Sequence, residues 1–233
     1  MKLVTVAGPP SSGKTSLILN TLRHLRGEGL KVGVVKFDCL NSSDGALYRS
    51  EGIPALTGLS GNYCPDHYFI TNIEDCAGWG RQGGLDLLVS ESAGLCNRCA
   101  PHIRGLLAVC VLDNLSGIDT PRKVGPMLKT ADLVVVTKGD IVSQAEREVF
   151  AYRVRQVNAK ADILFANGIT GQGSREIGTL WREAPDDAAL TGGRLRFSVP
   201  SSVCSYCFGQ TRIGAEFQHG VVRKIRIEEA CRA

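Results

Sequence analysis

The chain has 233 residues, 43% of them hydrophobic and 21% charged, which suits one α/β domain with room for an appendage. Its net charge of +4 is too small to argue for nucleic acid. No apolar run is long enough to span a bilayer, and the N-terminus reads as a core strand instead of a secretion signal; a cytoplasmic protein with neither nucleic-acid nor membrane partners is expected. The nine cysteines are an odd number in a reducing compartment, which argues against a disulfide framework and brings metal and redox roles forward.

In chain order, residues 2–7 (KLVTVA) are short, apolar and β-branched and predict a buried strand. Gly8-Pro9-Pro10-Ser11-Ser12-Gly13-Lys14-Thr15-Ser16 follows and fits G-x-x-x-x-G-K-[ST], with helical spacing over 16–25. The glycines let backbone N–H groups turn inward onto phosphate oxygens, beside a helix N-terminus that favours anions. Lys14 is placed to reach the β- and γ-phosphates and Thr15 to bind Mg²⁺. A strand over 31–37 leads to Asp38, a carboxylate suited to Mg²⁺ or its water shell, and Asp44 follows in a loop rich in Ser, Asn and Gly. A strand over 85–90 runs into Glu91-Ser92-Ala93-Gly94. This E-x-x-G stands where G proteins carry their D-x-x-G switch, so Glu91 is expected to hold Mg²⁺ through water and Gly94 to sense the γ-phosphate through its N–H.

Strands are predicted over 106–112 and 132–137, the second ending in Thr137-Lys138-Gly139-Asp140. That tetrapeptide resembles the [N/T]-K-x-D guanine box, with Asp140 accepting from guanine N1–H and its exocyclic amine. Adenine lacks that donor pair, and a site of this kind discriminates by roughly 10⁴. The plain alternative has Asp140 capping the next helix. A helix over 145–157 and a strand over 162–166 precede Asn167-Gly168 and Thr170-Gly171-Gln172-Gly173, which resembles the loop that covers the base, and a helix over 173–182. The alternation predicts an α/β P-loop fold, a mostly parallel sheet with helices on both faces. A composition break between 184 and 193 separates a nucleotide-binding domain (1–185) from a basic appendage (186–233) with β-like runs at 195–199 and 221–227. The appendage reads as a solvated surface, with an acidic partner as the alternative.

The segment from Asp113 through Gly117, Asp119, Pro121, Arg122, Lys123, Gly125 and Pro126, running through Ala131-Asp132-Leu133 to the Thr-Lys-Gly-Asp box, resembles the D-x-x-x-G-x-D-x-P-R-K-x-G-P stretch of the urease member of the nickel-insertion GTPases (the HypB/UreG family). With the phosphate loop, the E-S-x-G switch and the T-G-x-G loop, the resemblance covers about residues 1–183. It implies GTP and Mg²⁺ as cofactors, a nucleotide- or metal-dependent homodimer, and a metalloenzyme client or its accessory proteins as partner. Three departures stand out: the box begins with Thr137 instead of Asn, there is no His-rich N-terminal store, and a Cys-x-x-Cys tail is added.

Gly61-Asn62-Tyr63-Cys64-Pro65-Asp66-His67 resembles the family's metal-binding loop, a Cys-Pro-His in the urease member. One Asp intervenes here, and Cys64 and His67 are the expected ligands. Cys96 and Cys99 follow the Glu91 switch within a few residues, so a loop shaped by the γ-phosphate would move two thiolates and change the hold on a metal. The second Cys-x-x-Cys, Cys204 and Cys207, is expected to join them in a four-cysteine site or to form a separate structural zinc knuckle. Ni²⁺ or Zn²⁺ suits mixed Cys/His ligands, and four cysteines suit a [4Fe–4S] cluster. Cys39, Cys76, Cys110 and Cys231 read as ordinary thiols, although Cys76 or Cys39 could be drawn in. The expected function is a GTP-hydrolysing metallochaperone that inserts a metal or cluster into a partner enzyme. The alternatives are an iron–sulfur nucleotide switch, a GTP-binding metal store or sensor, and a small-metabolite kinase.

Overall fold

The computed structural model describes residues 1–97, 99–197, 210–218 and 223–231. Seven parallel strands form one sheet: β1 (Lys2–Ala7), β2 (Val32–Asp38), β3 (Ala55–Leu59), β4 (Leu87–Glu91), β5 (Leu107–Asp113), β6 (Leu133–Thr137) and β7 (Asp162–Ala166). Their order is β3-β2-β4-β1-β5-β6-β7. Among the described residues eight α-helices accompany them: α1 (Lys14–Gly27), α2 (Asp44–Ser50), α3 (Pro65–Gln82), α4 (Thr120–Lys123), α5 (Pro126–Lys129), α6 (Gln144–Val157), α7 (Ser174–Arg182) and α8 (Ile227–Ala230).

The strands read as near-continuous apolar runs because both faces of the sheet are covered. Side-chain alternation divides them between layers. Val4, Val6, Val34, Val89, Val111 and Val135 face α1 and α7, where Leu22 and Trp181 are fully buried. On the opposite face, Leu3, Val35, Phe37 and Leu88 meet Phe69, Ile73 and Ala77 of α3, and Cys110, Leu112, Val134 and Val136 meet Leu128, Phe150 and Val154 of α5 and α6. Strand order reverses at β1, whose neighbours are β4 and β5. In such sheets the crevice beyond the strand ends at the reversal is where ligands bind.

The expected strands and the helices at 16–25, 145–157 and 173–182 are present with ends shifted by a residue or two. The strand β3, the long helix α3 and the short helices α2, α4, α5 and α8 escaped the sequence reading. β3 has five residues of which two are Thr57 and Gly58, too short and mixed to stand out. α3 begins at the Cys64–Pro65 step, with Cys64 as N-cap and Pro65 in the first turn, where proline is favoured because its missing N–H is not needed. The loop expected around Asp44 is the start of α2.

The tail differs from expectation. Its described residues contribute isolated bridges, Ile103↔Leu195 and Arg194↔Arg212, and the run expected as β at 221–227 is unpaired over 223–226 and helical from Ile227. Leu195, Ile213, Ile225 and Ala230 are buried in the α3 layer. A segment lying on a helix finds no free backbone partners, so a side chain supplies them: Asn72 of α3 accepts from Ile225 N–H at 2.8 Å and donates to the Arg223 carbonyl at 3.0 Å. Arg196 fixes the other arm, both guanidinium nitrogens lying 2.6 Å from Asp132 oxygens. Cys204 and Cys207 lie outside the described residues.

Candidate nucleotide and metal sites

The turn after β1 is built on glycines that nothing else replaces. A Cβ on Gly8 would lie 2.2 Å from the Val111 carbonyl oxygen, and Gly13 has φ +85°. Ser11 is itself left-handed, at φ 60°. Lys14 folds back over the turn and donates to the carbonyls of Gly8 (2.9 Å) and Pro9 (2.8 Å). Burial, reinforced by the nearby Lys36, lowers its pKa to about 8. Ser12 Oγ is buried without a hydrogen-bond partner, an orphan that a phosphate oxygen would satisfy. Ser16 is exposed on the first turn of α1 and abuts Gly168.

Thr137 and Lys138 pack onto this turn from the other side of β1. Thr137 Oγ1 donates to the Ser12 carbonyl at 2.7 Å. Lys138 Nζ donates to the Ser11 carbonyl (2.9 Å) and to Asp113 (2.5 Å). Asp140 is exposed beyond them. The side-chain oxygen of Asn167 holds its own loop by accepting from Ile169 and Thr170 N–H, and Asn20 of α1 ties that loop to the helix through the Gly168 carbonyl at 2.7 Å.

Glu91, at the end of β4, is fully buried. Its carboxylate accepts from Thr15 Oγ1, Lys36 Nζ and Tyr48 Oη, each at 2.8 Å. Lys36 also pairs with Asp44 at 2.7 Å and lies 3.9 Å from Asp38. Thr15 is thus bonded to Glu91, and Asp38 faces the same lysine that Glu91 holds. Thr15, Asp38 and Glu91 offer hydroxyl and carboxylate oxygens, the hard donors that Mg²⁺ takes beside substrate phosphates. Lys36 and Tyr48 were not anticipated. The available signal for Lys36 was a lone lysine inside the apolar run VGVVKF; Tyr48 gave none, because α2 is too short to show a periodicity.

Past Glu91 the chain crosses the phosphate turn. Gly94 has φ +74°, and a Cβ there would sit 1.8 Å from the Gly8 carbonyl oxygen and 3.2 Å from Lys14 Nζ. Two residues on comes Cys96. Donor atoms of Cys96, Cys99 and Asp66 all lie within 4.8 Å of one another. Asp66 is 9% exposed, and burial pushes its carboxyl up to about 6, partly offset by a hydrogen bond from Cys99. Burial and the neighbouring Asp66, Cys96 and Cys64 push the Cys99 thiol far up. Burial disfavours the anionic forms of Asp66 and Cys99, and a cation between them would ionise both, with proton release on binding.

Asp66, passed over as an insertion, is therefore a member of the innermost group, whereas the expected Cys64 and His67 stand next to it. Cys64 caps α3 close enough to act on Cys99, and His67 is buried in the first helical turn, its pKa lowered by burial. Cys110 is a core thiol, pushed up to about 12 by burial. Cys76 is fully buried against the sheet. His102 is structural: Nδ1 lies 3.0 Å from Thr5 Oγ1 and Nε2 lies 3.2 Å from the Met127 carbonyl.

The fold and this loop define a P-loop nucleotide-binding domain. Residues 2–165 match the CobW/HypB/UreG nucleotide-binding domain, and the chain belongs to that family. An uncharacterized protein of Methanocaldococcus jannaschii, MJ0120, is 48% identical over 225 residues, 97% of this chain and 96% of its own. The hydrogenase maturation factor HypB of Archaeoglobus fulgidus shares the fold at TM-score 0.59 and 23% identity, over 78% of this chain and 89% of that one. HypB of Helicobacter pylori, solved in complex with nickel, does so at TM-score 0.60 and 18% identity, over 78% and 86%.

Proposed function

We propose that this protein is a GTPase whose nucleotide cycle captures and releases a transition-metal ion for a partner metalloenzyme or its accessory protein. One observation carries the reading. The segment 91–99 begins at the buried carboxylate bonded to Thr15, rests on the phosphate turn at Gly94, and ends in two thiols beside Asp66. A change at the γ-phosphate position is thereby transmitted to the metal donors over five residues.

In this reading Lys14 and the turn's N–H groups neutralise phosphate charge. Thr15, Asp38 and Glu91 hold Mg²⁺ directly or through water, and Mg²⁺ when bound adds further charge neutralisation. Lys138 and Asp140 select guanine, and Gly94 follows the presence of the terminal phosphate. Among the described residues no side chain is assigned as a general base, in keeping with phosphoryl transfer by positioning and electrostatics. Cys96, Cys99 and Asp66, supported by Cys64 and His67, take the metal cargo. Two thiolates and a carboxylate suit a single Zn²⁺- or Ni²⁺-like ion. Two copies pair around the bound nucleotide, as the family resemblance implies.

The test is anaerobic purification with metal and sulfide analysis, followed by guanine and adenine nucleotide binding and phosphate release. The expected protein is colourless, binds about one ion per chain, prefers GTP, and loses that preference in Asp140→Asn. Unchanged metal content in a Cys64/Cys96/Cys99→Ser triple variant would sink the metal assignment. Matched iron and sulfide would replace the single ion with a cluster.

A further inference from the structure

Lys36 is the one charged residue of β2 ahead of its terminal Asp38, and it is 4% exposed. Its ammonium group lies 2.8 Å from Glu91 Oε1, 2.7 Å from Asp44 Oδ2 and 3.9 Å from Asp38 Oδ2. The same Glu91 oxygen accepts from Thr15 Oγ1 at 2.8 Å. The oxygen donors best suited to Mg²⁺ are therefore already gathered around a cation that belongs to the protein. An ammonium and a divalent ion cannot both sit at contact distance from one carboxylate oxygen without strong mutual repulsion. Three carboxylates, Glu91, Asp44 and Asp38, surround the ammonium group.

We propose that Lys36 is a tethered cation that holds Asp38, Asp44 and Glu91 and gives up Glu91 and Asp44 when Mg²⁺ and nucleotide enter. The inference rests on the guanine-nucleotide reading above and adds a regulation to it. Lysine and Mg²⁺ compete, so nucleotide binding demands more Mg²⁺ than the carboxylates alone would set. Asp44 is the first residue of α2, so the exchange also frees the start of that helix. Lys36 is in this sense a positioning residue: it acts through the carboxylates.

The experiment is a Mg²⁺ titration of fluorescent GDP binding by the full chain, wild type beside Lys36→Met and Lys36→Arg. Lys36→Met should need at least about tenfold less Mg²⁺ for half-maximal binding, the size of effect a charge at this distance has on a neighbouring carboxylate. Lys36→Arg, which keeps the cation, should stay near wild type. A lysine of purely structural use would lower thermal stability in Lys36→Met and leave the Mg²⁺ demand unchanged or raised, and that result overturns the inference. Should Lys36→Met not fold, the Lys36 Nζ resonance of the wild-type protein decides. It should shift when Mg²⁺ and GDP are added together, and an unmoved resonance overturns the proposal. Wild type that binds no guanine nucleotide at any Mg²⁺ concentration takes down the functional reading and this inference together. Wild type that binds, with no difference in Lys36→Met, takes down this inference alone.

Discussion

In Cys64-Pro65-Asp66-His67 each successive side chain turns by about 100° once the chain is helical. Asp66 and His67 therefore leave α3 in different directions, and Asp66 joins Cys96 and Cys99. Asp66→Ala should weaken Zn²⁺ or Ni²⁺ binding at least about tenfold, since even the loss of an outer-shell partner costs that much; competition with a chelating dye measures it. The same residue governs acid stability of the metal-free protein, in opposition to His102. His102 is fully buried and its pKa falls from 6.5 to about 4. The unfolded chain therefore binds that proton first, and stability is lost as pH drops through this window, by up to about 3 kcal/mol. Asp66 is raised from 3.8 to about 6, so the native state binds its proton first and stability is gained over nearly the same window. Asp66→Asn removes the compensating group. Its urea midpoint should exceed wild type at pH 8 and fall more steeply between pH 6 and 4; parallel curves would refute the opposition. Gly94 offers a third residue-scale test. With φ +74° and the Gly8 carbonyl 1.8 Å from a would-be Cβ, Gly94→Ala must displace the loop from the phosphate turn. Nucleotide affinity, read by the same fluorescent analogue, should drop about tenfold or more, while the protein keeps its cooperative melt.

At the scale of elements, α3 does two jobs, and the tail shows the second. Asn72 replaces a strand neighbour for residues 223 and 225. Asn72→Leu keeps the volume apolar but leaves a buried N–H and a carbonyl without partners, which should cost about 1–3 kcal/mol. Hydrogen exchange at the Ile225 amide should quicken well beyond the global change in stability. This element also shows what a sequence conceals. Arg-Lys-Ile-Arg-Ile over 223–227 alternates as a strand would, and Ile225 does point inward, yet its partner is a side chain 153 residues away. β1, β4, β5 and β6 were legible because burial on both faces leaves continuous apolar runs. The phosphate loop was legible because its glycines are forced by close backbone contacts. β3 was hidden by its length, and α3 by a proline and cysteine that read as a ligand loop. Lys36 and Tyr48 were hidden because a buried ion cage leaves no periodic trace in either element that supplies it.

On the scale of the whole molecule, the reversal of strand order at β1 puts the phosphate turn between the ends of β4 and β5. The chain leaving β4 must cross that turn before it can reach α3, and its cysteines land against the α3 N-terminus. Cys39, which follows Asp38, closes the arrangement from the other side, its carbonyl accepting from Gly61 N–H at 2.8 Å at the start of the Cys64 loop. Both segments that flank the phosphate turn therefore run on toward the Asp66, Cys96 and Cys99 cluster. If the terminal phosphate moves the 91–99 segment, the metal must bind the two nucleotide states unequally, and linkage makes that inequality reciprocal. A tenfold difference in Zn²⁺ affinity between the GDP form and a non-hydrolysable GTP form, about 1.4 kcal/mol, requires Zn²⁺ to shift the ratio of GTP to GDP affinities by the same tenfold. Both quantities are measurable on one preparation, the first by chelator competition and the second by nucleotide displacement. A factor clearly above one in both shows that the two sites are coupled. A metal affinity indifferent to nucleotide would leave the cysteines a store beside an unrelated nucleotide site, whatever their nearness.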